Sequence, residues 1–186
     1  MLDEPDKDRA ATGPGWLVSG LEDDIRPHMF AVADRGEPFA LATIVAADGG
    51  PRPVGAQMAV TETQAWGFLS GGCIEDDVAL NARETIADGT ARRLIYGEGS
   101  PFVDIRLPCG GRIEVAIERV EAGDVALAEL KRFTRERRPA VWASDGTKRS
   151  CQPVDDAPAD AAIRKHYDPV QRLVVIGSDP FALAIG

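Results

Sequence analysis

Residues 39–46 read Phe-Ala-Leu-Ala-Thr-Ile-Val-Ala, a near-continuous apolar run rich in strand formers, and predict a buried strand. A turn-rich loop follows, Asp48-Gly-Gly-Pro-Arg-Pro-Val-Gly55, leading to two further predicted strands at 57–61 and 65–69. After Ser70-Gly71-Gly72-Cys73 the apolar period changes: Ile74, Val78 (or Ala79), Ala82 and Ile86 share one helical face, with Gly89 as the stop. Strands are predicted again at 92–96 and 112–120. The second alternates Ile113, Val115 and Ile117 with Glu114, Ala116 and Glu118, so one of its faces is expected to be wet. An amphipathic helix over 124–137, a strand at 140–143 and a strand running into a turn at 172–177 complete the pattern.

Upstream, Ser19-Gly-Leu-Glu22 has capping-box spacing, and Leu21, Ile25, Met29 and Val32 recur at helical intervals toward Gly36. Pro27 interrupts the series, so that helix is either kinked or starts near the proline. The organisation expected is a tail over 1–18, a domain over 19–150, an acidic Pro- and Ala-containing linker over 151–170, and the opening of a second domain over 171–186. The fold class is α/β: an α+β domain with a mixed sheet, then the start of a nucleotide-binding fold.

Composition narrows the partners. Lys and Arg number 21 against 30 Asp and Glu, a net charge of −9, which on average repels nucleic acid and anionic membrane. No apolar run approaches the roughly 18 residues of a membrane span, and the N-terminus is polar and acidic, so a cytoplasmic protein is expected. Three cysteines, an odd number far apart in sequence, predict reduced thiols rather than a disulfide framework. His28 and His166 are the only histidines, and neither Cys-x-x-Cys nor His-Glu-x-x-His occurs, which argues against a conventional zinc site.

The candidate chemistry centres on two cysteines flanked by glycine pairs. Ser70-Gly71-Gly72-Cys73-Ile74-Glu75 places a thiol at a strand-to-helix turn, where unpaired backbone N–H groups and the helix dipole favour an anion. A thiol there is expected to ionise more readily than in solvent, unless Cys73 is only a small filler of a tight turn. Leu107-Pro-Cys109-Gly110-Gly111 mirrors the first loop just before a strand, and the pair suggests that Cys73 and Cys109 converge on one site. Arg52, Arg106 and Arg112 are candidate forks for a phosphate or carboxylate. Among Glu75, Asp76 and Asp77, which all complement the helix dipole, Glu75 is kept as a candidate site member, and Cys151 is read as a bystander.

Taken in order, 40–45 (Ala-Leu-Ala-Thr-Ile-Val), 51–56 (Pro-Arg-Pro-Val-Gly-Ala), 70–75 and 107–115 (Leu-Pro-Cys-Gly-Gly-Arg-Ile-Glu-Val) resemble the XdhC/CoxI family of molybdenum hydroxylase accessory proteins. The resemblance implies a chaperone that binds molybdenum cofactor, supports its sulfuration through a cysteine desulfurase and helps insert it into the apoenzyme of a xanthine dehydrogenase-type molybdenum hydroxylase. It carries Cys73 and Cys109 over as cofactor-contacting positions, with molybdenum or sulfur as their target, and Gly71, Gly72, Gly110 and Gly111 as loop-shaping positions. Soft thiolates suit that metal, and glycine loops with arginines suit a pterin phosphate.

The same family commonly continues into a Rossmann-like domain, whose first strand and turn 172–182 resembles. In a Gly-x-Gly-x-x-Gly frame starting at Gly177, Asp179 stands where the second glycine belongs and Ala182 replaces the third. A carboxylate there would repel a diphosphate, which argues against NAD binding at this turn, while the molybdenum cofactor itself is left as either molybdopterin or its dinucleotide form. Two other classes compete: an enzyme, either a cysteine-dependent sulfur-transfer protein or an NAD-linked oxidoreductase, and an interaction module with structural cysteines. The expectation is a binding protein without turnover of its own; a homodimer is one assembly left open.

Overall fold

The computed structural model describes residues 23–50, 52–100, 107 and 110–170. The expected cap at Ser19, the thiol of Cys109, Arg106 and the strand and turn at 172–182 lie outside the described residues.

Helix α1 (Arg26–Asp34) has Pro27 in its first turn, which settles the two alternatives for this segment: the helix begins at the proline, where no backbone donor is lost. Strand β1 (Phe39–Asp48) is the centre of a five-stranded sheet ordered β3-β2-β1-β5-β4. Its partners are β2 (Gln57–Val60) and β5 (Arg112–Val120), with β3 (Ala65–Gly67) and β4 (Arg92–Tyr96) at the edges. Every pairing is antiparallel, where a mixed sheet was expected. Short connections join β1, β2 and β3 as a meander, which imposes antiparallel neighbours. Helix α2 (Glu75–Asp88) makes the one long crossing, from the β3 edge to the β4 edge, and stops at Gly89 in the left-handed conformation.

The first sheet is covered on both faces. Ile74, Val78, Ala82 and Ile86 pack with Ala40, Ala42, Ile44, Met58, Val60, Val115 and Ile117 on one side. On the other, Phe39, Leu41, Trp66 and Val120 pack with Met29 and Val32 of α1 and with Leu127, Leu130 and Phe133 of α3 (Val125–Glu136). This double cover explains why β1 reads as an unbroken apolar run.

A second, three-stranded sheet, ordered β7-β6-β8, consists of β6 (Ala140–Ser144), β7 (Arg149–Gln152) and β8 (Ile163–Tyr167). It corrects the reading of 151–170 as a linker. Cys151 is buried opposite Trp142, and Ile163 and Tyr167 are buried at the two ends of β8. The sequences Arg-Ser-Cys-Gln and Ile-Arg-Lys-His-Tyr carry too few apolar residues to show a period of two, so composition alone resembles a connector. Burial pushes the Cys151 thiol up to about 12, in keeping with a bystander.

The expected wet face of β5 is also corrected. Glu118 is 0% exposed. Its carboxylate accepts hydrogen bonds from Trp142 Nε1 at 2.9 Å, the Ser144 hydroxyl at 2.5 Å and Arg149 Nε at 3.1 Å. Arg149 also donates to Asp124 at 2.8 Å, and Asp124 caps α3 by accepting from the Ala126 amide, again at 2.8 Å. One carboxylate thus fastens the first sheet to β6, β7 and the start of α3. A second tie runs from Thr43 through Gln57, whose side-chain amide donates at 3.0 Å, to the Tyr167 hydroxyl, which donates to Gln57 Oε1.

Removing one member of a buried ion pair leaves the other charge uncompensated. Arg149→Ala is therefore expected to cost about 3 kcal/mol or more in urea unfolding. Glu118→Ala should cost a similar amount, and the double variant should lose markedly less than the two single losses added together.

Candidate functional site

The loop between β3 and α2 is organised around a carboxylate from its own helix. Gly71 and Gly72 adopt φ of 84° and 112°, a backbone that a side chain resists and that turns successive amides inward. Glu75 fills the resulting nest. Its Oε1 accepts from the amides of Leu69 (2.9 Å), Ser70 (2.7 Å) and Gly71 (3.0 Å), and its Oε2 accepts from Gly72 (2.8 Å) and Ile74 (3.2 Å). The Ser70 hydroxyl donates to Oε2 at 2.6 Å and accepts from the amides of Cys73 (2.9 Å) and Ile74 (3.1 Å).

This arrangement revises the sequence-based expectation of donors waiting for a ligand's phosphate: the anion in the loop is Glu75 itself. Partial burial works against the ionised carboxylate, but the Ser70 hydroxyl and the loop amides outweigh it and hold Glu75 down to about 2. Cys73 is exposed at the apex, which overturns the alternative of a buried filler. A Cβ built on Gly71 or Gly72 would meet no atom of the described residues within 4 Å, so among those residues nothing covers the outer surface of the loop beside the thiol.

The second loop is visible through its flanks. Leu107 is buried in the same apolar cluster as Ile74 and Tyr96, on the α2 face of the first sheet. Gly110 has φ of 70° and donates its amide to the Leu107 carbonyl at 2.9 Å, and a Cβ on it would meet no atom of the described residues within 4 Å. Gly111 is required by close packing: a Cβ there would lie 2.6 Å from the Gly49 carbonyl oxygen.

The three candidate arginines separate. Arg106 is outside the described residues, and Arg112 pairs with Glu114, which Arg93 also holds at 2.6 Å. Arg52 stacks its guanidinium 4.2 Å from the centroid of the Phe68 ring and pairs with Asp23. Its Nε is buried without an acceptor among the described residues.

Sequence reasoning missed Ser70, whose hydroxyl accepts from the Cys73 and Ile74 amides just ahead of α2, and Tyr96, whose hydroxyl donates to Asp77 Oδ2 on the first turn of α2. It also missed Phe68 and Lys165, which have no local signature. Among the described residues no group of three or more His, Cys, Asp or Glu could hold a metal ion.

Glu75→Gln removes the charge from the nest and should lower stability by roughly 2 kcal/mol, a value discounted for the carboxylate's partial exposure. The ionised form is the one the fold favours. This contribution is therefore complete above the ordinary value of 4.5 and lost as pH falls toward about 2, and an acid-unfolding series should show the loss in the wild type and not in Glu75→Gln.

Comparison with known proteins places this geometry. Residues 32–97, from α1 through β4, match the XdhC and CoxI family. The molybdenum cofactor insertion chaperone PaoD of Escherichia coli (strain K12) is 43% identical over 124 residues, covering 64% of this chain. The chain spans only 39% of that relative's length. A crystal structure of a xanthine dehydrogenase from Bacillus halodurans superposes with a TM-score of 0.57 at 22% identity, over 77% of this chain and 52% of that one, and shows the fold alone. The Gly-Gly-Cys loop, strands β1 to β4 and helix α2 all lie inside the segment that matches the XdhC and CoxI family, which is the family this chain resembles.

Proposed function

We propose that the chain binds molybdenum cofactor at the Gly-Gly-Cys loop and serves its insertion into a molybdenum hydroxylase apoenzyme of the xanthine dehydrogenase type. The observation that carries the reading is an exposed thiol, Cys73, at the apex of a loop whose backbone Glu75 holds in place and whose glycines meet no other described residue on their outer side. A soft sulfur ligand suits molybdenum and the sulfur chemistry around it. Rigidity suits a carrier, because a preorganised loop loses little conformational freedom when it binds. The name of the 43%-identical relative points the same way.

In this reading Cys109 is the second cofactor-contacting thiol, converging with Cys73. Leu107 and Gly111 support the placement, since Leu107 joins the core cluster that holds Ile74 and Gly111 packs at the end of β4 beside Tyr96. Gly110 and Gly111 shape its loop. A cysteine desulfurase delivers sulfur to the bound cofactor, the chain works in the cytoplasm, and a homodimer is the simplest assembly in which to hold the cargo. The chain performs no turnover of its own. His28 stacks on Trp66 with ring centroids 5.0 Å apart and His166 lies against Arg164, which favours binding over a cysteine nucleophile driven by a histidine base. No helix among the described residues is long and apolar enough to cross a membrane.

Purified protein mixed with molybdenum cofactor and desalted should retain pterin, read by fluorescence after oxidation. Cys73→Ala and Cys109→Ala should each weaken retention about tenfold or more, on the order of 1.4 kcal/mol. Wild-type protein that emerges without pterin refutes the reading.

A further inference from the structure

The end of the loop between β1 and β2, at Gly55, lies against the last strand of the second sheet. A Cβ placed on Gly55 would lie 3.4 Å from Lys165 Cδ and 3.9 Å from the Arg164 carbonyl oxygen, so the Arg52 loop and β8 are in direct contact. Arg26 completes a cationic neighbourhood but is fully engaged: it donates to both Asp24 oxygens at 2.7 and 2.8 Å and to the Asp168 carbonyl at 2.9 Å. Asp23, which pairs with Arg52, is the other carboxylate present.

That leaves two cationic groups with unspent donors. The Lys165 ammonium makes no hydrogen bond among the described residues and sits 5.8 Å from the centroid of the Tyr167 ring. Arg52 keeps a buried Nε without an acceptor. Burial, and next the positive charge of Arg52, lower the Lys165 amine, with Asp23 opposing. Three cations therefore face two carboxylates at one place in a chain of net charge −9. Crowding like charges around unsatisfied donors is costly, and a bound anion would relieve it.

We infer that Arg52 and Lys165, with Phe68 backing the guanidinium, form a binding site for the phosphate group of a small-molecule ligand. A guanidinium offers paired N–H donors to phosphate oxygens and an ammonium adds a point charge, a combination matched to a tetrahedral dianion. Phe68 precedes Ser70 by two residues, so the site adjoins the loop that carries Cys73. If the proposed function holds, the phosphate is the one on the pterin's side chain, and this last assignment rests on that reading.

The test is a titration of the full chain with inorganic phosphate at low ionic strength, followed by the amide signals of Gly55 and Phe68. Binding should weaken at least tenfold in Arg52→Gln and in Lys165→Gln, recover in Lys165→Arg, and stay unchanged in Arg93→Gln, which alters only an exposed pair with Glu114. Melting curves establish that each variant is folded, and Lys165→Arg keeps the comparison meaningful should Lys165→Gln be unstable. No phosphate binding by the wild type, or equal affinity in Lys165→Gln, overturns the inference. If phosphate binding fails while pterin is still retained through Cys73, the proposed function stands and this site falls. If phosphate binds as described but Lys165→Gln retains pterin normally, the phosphate site stands and only its link to the cofactor is lost.

Discussion

The buried carboxylate of Glu118 is the constraint on which the arrangement of the molecule depends. It can be sealed from water only because Trp142, Ser144 and Arg149 all donate to it, and those three residues belong to the second sheet. Satisfying Glu118 therefore fixes where the second sheet sits on β5, and Asp124, which shares Arg149, fixes where α3 begins. The position of β8 follows in turn, since β8 pairs with β6 and reaches the first sheet again through Tyr167 and Gln57. Lys165 meets the Arg52 loop as a consequence of that docking.

The Gly-Gly-Cys loop uses the same device on a smaller scale. A run of amides turned inward would be unstable without an anion, and the protein supplies one from the first residue of its own helix. Glu75 satisfies the backbone whether or not a ligand is present, so the loop does not need its cargo in order to keep its shape. Cys73 is left at the surface as the loop's free chemical group. In the proposed reading ligand recognition is divided: sulfur chemistry at the apex, and positive charge a few residues upstream, where Phe68 meets Arg52.

The acidic character of the chain sharpens that division. Most of its arginines are spent on neighbouring carboxylates, as in the Arg92–Asp88, Arg132–Glu136 and Arg93–Glu114 pairs. Such exposed pairs add little stability but cancel positive charge over much of the surface. Against that background the Arg52 and Lys165 locus stands out electrostatically, because among the described residues Arg26, Arg52 and Lys165 face only Asp23 and Asp24 there.

What the sequence determined by itself was local. The apolar run of β1, the change of period at Ile74, the stop at Gly89 and the alternation of Ile113, Val115 and Ile117 each follow from backbone periodicity and residue preference within a few neighbours. Cys73 and its glycines were legible for the same reason, since a thiol between a strand and a helix is defined by the residues beside it. Tertiary structure decided the rest. Glu118 looked solvated because alternation cannot tell water from a second sheet, and β7 and β8 looked like linker because their few buried residues are recognised only by the surface they meet. Glu75 changed from candidate ligand contact to internal anion, and Lys165 joined Arg52 from 113 positions away, because hydrogen bonding and charge act through space whatever the separation along the chain.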